Sequence, residues 1–137
     1  MFEKTKIVIV DNDPDELYFM EQGFESSGCF EIMGLFTGSE ELNSYLLNAT
    51  ELPDLVLTDL NMDGKDGMQV AVELNANPAY ATIKVIVLSI ASGDNVSDFR
   101  SLTIGKSIFI SKPTSLLDYK SFACDLYDRV HGNLSAR

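Results

Sequence analysis

The sequence predicts a doubly wound α/β domain, a five-stranded parallel sheet with helices on both faces, from three observations. Short β-rich apolar runs recur along the chain, stretches with helical apolar spacing lie between them, and no internal repeat or Gly/Ser linker divides it. Alternation of strand and helix with right-handed crossovers leads to a parallel sheet wound in both directions.

Taken in order, IVIV at 7–10 is the first strand, flanked by polar residues and buried. Asp13-Pro14 then opens a helix. Asp can cap free amide groups, Pro is preorganised for the first turn, and Leu17, Met20 and Phe24 supply the apolar stripe. FEIMGLF at 30–36 lies between two helical patterns, and its aromatic and β-branched content makes it a second, more exposed strand. Gly38-Ser39 begins the next helix, carried by Leu42, Leu46 and Leu47. LVL at 55–57 is the third strand, and after Gly67 a helix is expected from Val70, Val72 and Leu74. VIVL at 85–88 is the fourth strand, followed by a polar, weakly apolar helix over 94–104; IFI at 108–110 is the fifth. A stronger amphipathic helix follows over 115–130, and HGNLSAR, 131–137, reads as a frayed tail.

At 137 residues this is expected to be one domain, 1–137, with its core in about 5–130. Ten Lys and Arg against 21 Asp and Glu give a formal net charge of -11, which opposes contact with nucleic-acid phosphates or an anionic membrane surface. No apolar run approaches a membrane span and no cleavage signal opens the chain, so a cytoplasmic protein is expected. Cys29 and Cys124 stand far apart in sequence without metal-ligand spacing and read as two reduced, buried thiols. His131, the only histidine, has a helix-end position rather than a catalytic one.

In an open α/β sheet the binding crevice lies outside the carboxyl ends of the strands. The residues there are Asp11-Asn12-Asp13, Thr58-Asp59, Ser89 and Ser111-Lys112-Pro113. Singly, each has an ordinary explanation: Asp13 as a helix cap, Asp59 in a solvated loop, Ser89 in a turn, Lys112 exposed before proline. Together they form a set suited to phosphoryl transfer, with a carboxylate nucleophile, oxygen ligands for a hard cation, a hydroxyl donor and a lysine for developing oxyanions.

PDLVLTDLNMDGKDG at 53–67, VIVLS at 85–89 and FISKP at 109–113 resemble the response-regulator receiver family, over roughly residues 5–130. The resemblance implies a flavodoxin-like strand order 2-1-3-4-5 and a phosphoacceptor at Asp59. It also implies Mg²⁺, or another divalent cation such as Mn²⁺, held by Asp11, Asn12, Asp59 and the backbone carbonyl of Asn61. Ser89 and Lys112 would bind phosphoryl oxygens, and Phe109 occupies the position of a switch aromatic, with ordinary core packing as the alternative. A cis Lys112–Pro113 peptide is a further family trait. The implied partners are a sensor histidine kinase or a His-containing phosphotransfer protein, and a downstream protein met through the surface of the last two helices. The chain would be a monomer or weak homodimer and a signalling module rather than an enzyme.

Three positions depart from the family. Asn12 stands where a second metal-binding carboxylate is usual, so cation affinity should fall. Asp63 replaces a common proline, and Ile90 a small residue. Asn12 and Ile90 suggest, as the alternative, a receiver-like protein-binding module with weakened or no phosphorylation. Two other classes fit less well. A phosphatase resembling the haloacid dehalogenase family needs an Asp where Asn61 stands. A flavin-binding protein needs a phosphate loop after the first strand, where Asp11 and Asp13 would repel the phosphate.

Overall fold

The computed structural model describes residues 3–62, 65–89, 103–104, 107–113 and 115–131. In chain order it contains β1 (Thr5–Val10), α1 (Pro14–Ser27), β2 (Phe30–Phe36), α2 (Ser39–Asn48), β3 (Leu55–Asp59), α3 (Gly67–Ala76), β4 (Lys84–Ser89), β5 (Thr103–Ile104), β6 (Ser107–Ser111) and α4 (Tyr119–Val130). The sheet order is β2-β1-β3-β4-β6-β5. The first five strands in that order run parallel, which is the expected 2-1-3-4-5 arrangement; β5 adds to β6 antiparallel at the edge.

Strand alternation builds two cores. Successive side chains on a strand point to opposite faces, so Ile7, Ile9, Leu55, Leu57, Ile86, Leu88 and Ile110 pack against Leu17, Met20 and Phe24 of α1 and Ala123 and Leu126 of α4. Val8, Val10, Val56, Val85, Val87 and Phe109 pack on the other face against Leu42 and Leu46 of α2 and Val70, Ala71 and Leu74 of α3. The central strands are buried on both sides, which is why their sequences are continuous apolar runs.

The helix starts follow local chemistry. Asp13 caps α1, its carboxylate accepting from the amides of Asp15 and Glu16 at 2.9 and 3.4 Å. Asp66 and Gln69 form a reciprocal capping box at the start of α3. Helix α1 ends at Gly28, whose φ of 73° is a left-handed conformation that a side chain would strain. At the far end, His131 caps α4 through its amide, and its Nε2 lies 2.9 Å from Thr5 Oγ1 on β1.

Several expectations need correction. Leu47 is 78% exposed and Val72 is 49% exposed, because α2 and α3 turn Leu42, Leu46, Val70, Ala71 and Leu74 toward the sheet instead. Thr103–Ile104, taken as the end of a helix over 94–104, is the strand β5; residues 94–102 lie outside the described residues. The Lys112–Pro113 peptide is trans, the lower-energy isomer even before proline, since no cis bond occurs among the described residues. Cys29 and Cys124 are free, as expected, but only partly buried. Asp63, Ile90 and the tail 132–137 also lie outside the described residues.

Candidate functional site

The site stands at the carboxyl edge of the sheet, on ends delivered by β1, β3, β4 and β6. Register sets it: Val10 lies opposite Thr58, Asp59 opposite Leu88, and Ser89 opposite Ser111. Backbone hydrogen bonds extend the sheet past its strands, from Asp11 N–H to the Phe36 carbonyl at 3.0 Å, from Leu60 N–H to the Leu88 carbonyl at 2.7 Å and from Lys112 N–H to the Ser89 carbonyl at 2.8 Å. Gly67 lets α3 come close: a Cβ there would stand 2.6 Å from the Asp59 carbonyl oxygen and 3.0 Å from Leu60 Cα.

Lys112 is the hub. Its Nζ lies 3.2 Å from Asp59 Oδ1, 3.5 Å from Asp11 Oδ2 and 2.9 Å from Glu16 Oε1. Three strand ends thus supply Asp11, Asp59 and Lys112 to one cluster, as the sequence predicted. The Asp13 amide donates to Asp11 Oδ1 at 2.9 Å and fixes that carboxylate, while the nearby Asn61 amide favours the charged form of Asp59. The side chains of Asn12 and Asn61 are exposed at the rim.

The cluster is short of positive charge, with three carboxylates around one ammonium. Burial pushes Asp11 up to about 6, only partly countered by the Asp13 amide and Lys112. Burial likewise raises Asp59 above the ordinary carboxylate range, against the opposing pull of Lys112. Burial alone would lower Lys112, but its bond to Glu16 and the charges of Asp11, Asp59 and Glu16 more than offset this and raise it. Buried oxygen donors with excess negative charge suit a hard divalent cation. Among the described residues no three His, Cys, Asp or Glu side chains converge as a metal-holding group, so what fits Mg²⁺ or Mn²⁺ is the chemistry of Asp11 and Asp59 as buried oxygen donors, not a preformed cage.

Ser89 is at the same edge but makes no hydrogen bond to the cluster. Its hydroxyl is buried without a partner among the described residues, as is that of Ser111 beside it. Phe109 is fully buried in the core against α2 and α3. Sequence reasoning missed Glu16 and Tyr119. The Tyr119 hydroxyl donates to Glu16 Oε2 at 2.7 Å, so Glu16 bridges Lys112 and the start of α4. The signal for Glu16 was its spacing: with Met20, Gly23 and Phe24 it lies on the inward stripe of α1, not on the solvated face.

A family model described as the response regulator receiver domain matches residues 7–120. The chain belongs to the response-regulator receiver family. As a receiver it is a signalling rather than a catalytic domain, part of a two-component system. It is 32% identical over 114 residues to the transcriptional regulatory protein PrrA of Mycobacterium leprae, a match covering 82% of this chain and 46% of that protein. It is 28% identical to the response regulator Rre1 of Synechocystis over 100% of this chain and 54% of that protein. The chain thus spans about half the length of these curated relatives. Among solved structures, the phosphorylated cyanobacterial phytochrome response regulator RcpA matches with a TM-score of 0.70 at 23% identity, covering 92% of this chain and 93% of that one. RcsB, in a structure of two dimers bound to two parallel DNAs, matches with a TM-score of 0.71 at 19% identity, covering 98% of this chain and 70% of that one. Among the described residues of the receiver, no helix is long and apolar enough to cross a membrane.

Proposed function

We propose that this receiver accepts a phosphoryl group on Asp59 from a phosphohistidine of a sensor histidine kinase or a His-containing phosphotransfer protein. The carrying observation is the cluster at the sheet edge, where the Lys112 ammonium lies within 3.5 Å of both Asp11 and Asp59. An Asp59 carboxylate oxygen attacks phosphorus, the phosphorus–nitrogen bond breaks, and the leaving imidazole takes a proton. The product is an acyl phosphate on Asp59.

Lys112 Nζ stands 3.2 Å from Asp59 Oδ1, near enough to swing onto the phosphoryl oxygens as charge develops there. Asp11, Asn12, Asp59 and the Asn61 carbonyl would hold Mg²⁺ or Mn²⁺, which when bound neutralises phosphoryl oxygens. The Ser89 hydroxyl, buried and free to donate, serves a phosphoryl oxygen if the strand end shifts toward Asp59. Phe109, behind it in the core, then follows as the switch aromatic. The surface so altered engages a downstream protein, with the receiver acting as a monomer or weak homodimer in the cytoplasm. Its net charge of -11 argues against direct nucleic-acid contact by this domain.

Asn12 favours a second reading, a receiver-like protein-binding module with weakened or no phosphorylation, because it removes one formal charge from the cation site. Intact mass spectrometry after incubation with acetyl phosphate and Mg²⁺ separates the two. Wild type should gain the mass of one phosphoryl group and Asp59→Asn none. No gain in wild type, together with no response to beryllofluoride, would transfer the case to the second reading.

A further inference from the structure

Glu16 and Tyr119 lie outside the phosphoacceptor chemistry, yet they are joined to it by short contacts. One Glu16 oxygen meets Lys112 Nζ at 2.9 Å; the other accepts from the Tyr119 hydroxyl at 2.7 Å. Tyr119 is 1% exposed and is the first residue of α4. Burial, with the hydrogen bond and charge of Glu16, raises its hydroxyl above the usual phenol range, so it acts as a donor. Its body is equally constrained. A Cβ on Gly23, two turns along α1 from Glu16, would stand 2.5 Å from Tyr119 Cβ and 2.7 Å from its carbonyl carbon. The Tyr119 ring meets Phe122 edge-on with centroids 5.8 Å apart. The start of α4 is therefore clamped to α1 at two points, and one of those points shares a carboxylate with Lys112.

We propose that Glu16 is a positioning residue that reports the state of Asp59 to α4 through Tyr119. This rests on the reading of Asp59 as phosphoacceptor. In the state described, Glu16 competes with Asp59 and Asp11 for one ammonium. An acyl phosphate at Asp59 presents more negative charge and more oxygens than the carboxylate it replaces, and draws Lys112 away from Glu16. Glu16 is then a half-buried carboxylate without its cation, facing a phosphoryl dianion, and turns outward. The Tyr119 hydroxyl loses its acceptor, and the first turn of α4 loosens against α1. The same competition makes Glu16 a brake on phosphorylation, since it holds the lysine that the incoming phosphoryl group needs.

The test is hydrogen exchange of the α4 amides with and without beryllofluoride and Mg²⁺, alongside phosphoryl uptake from acetyl phosphate read by intact mass. In that uptake an Asp59 oxygen attacks phosphorus and acetate leaves. In wild type, exchange in the first turn of α4 should rise roughly three-fold or more with beryllofluoride. In Tyr119→Phe, that turn should exchange rapidly in both states, leaving a ratio of about one, while the phosphoryl mass gain persists. Glu16→Gln should take up phosphate roughly five-fold faster and show a reduced exchange response. A tyrosine that served packing alone would change exchange equally in both states and leave their ratio at the wild-type value. That result, or a wild type that gains phosphoryl mass with no change in α4, overturns the relay. A wild type that gains no mass overturns the acceptor reading beneath it.

Discussion

Asp11 is fully buried beside two further carboxylates, and the fold accepts its charge at a cost. Its ordinary value of 3.8 is pushed up to about 6, so the folded protein holds this proton more readily than the unfolded chain does. Stability contributed by the protonated form is therefore complete below about pH 4, falls as pH rises toward 6, and is absent above it. In EDTA, urea melts should show wild type losing stability across that window. Asp11→Asn should flatten much of the slope and be more stable at pH 7 by roughly 2 kcal/mol. Asp59, raised in the same direction, leaves a residual slope. An Asp11→Asn protein no more stable than wild type at pH 7 would refute this. Residue types at strand ends made Asp11, Asp59 and Lys112 legible in the sequence, because the fold must bring those ends together. Glu16 and Tyr119 were not legible as a pair: they are 103 positions apart, and each has an ordinary helix role until α1 and α4 are packed.

At the scale of the element, the close crossing of α1 and α4 depends on one missing side chain. Gly23 faces the Tyr119 backbone and the Lys120 amide, the latter 2.8 Å from where a Cβ would stand. Backbone atoms cannot swing aside as a flexible side chain can, so Gly23→Ala must push the helices apart. The expected loss is about 2 kcal/mol, against the small gain alanine gives a helix interior. Chemical denaturation would measure it, and a neutral or stabilising effect would contradict the packing. Gly23 carries no such message in the sequence, because nothing local shows that the backbone of a helix about a hundred positions away will press against it. Strand β5 was hidden for a different reason: Thr103 and Ile104 are too few to make a periodic signal, and the polar run before them suggested a helix. Gly105-Lys106, between the two β segments, was the available hint of a hairpin.

On the scale of the whole molecule, two periodicities made the architecture readable. Apolar runs without alternation marked strands covered on both faces, and Leu17, Met20 and Phe24 marked the helix covering one of them. What periodicity cannot give is the amount of charge gathered at one edge, and that decides how the receiver responds to cations. A net charge of -11 means that any salt relieves some repulsion, so stabilisation by Mg²⁺ proves a site only against a matched control. A cation bound at ten times its dissociation constant stabilises by about 1.4 kcal/mol, and should raise Tm by roughly 3 to 6 °C in a domain of this size. NaCl at equal ionic strength should give a smaller shift, and Asp11→Asn should reduce the Mg²⁺ response to the NaCl value. Asn12→Asp should move the Mg²⁺ midpoint to lower concentration, because it restores a formal charge among the ligands. If MgCl₂ and NaCl shift Tm alike at matched ionic strength, the acid cluster holds no specific cation, and Lys112 alone must answer the charge of the phosphoryl group.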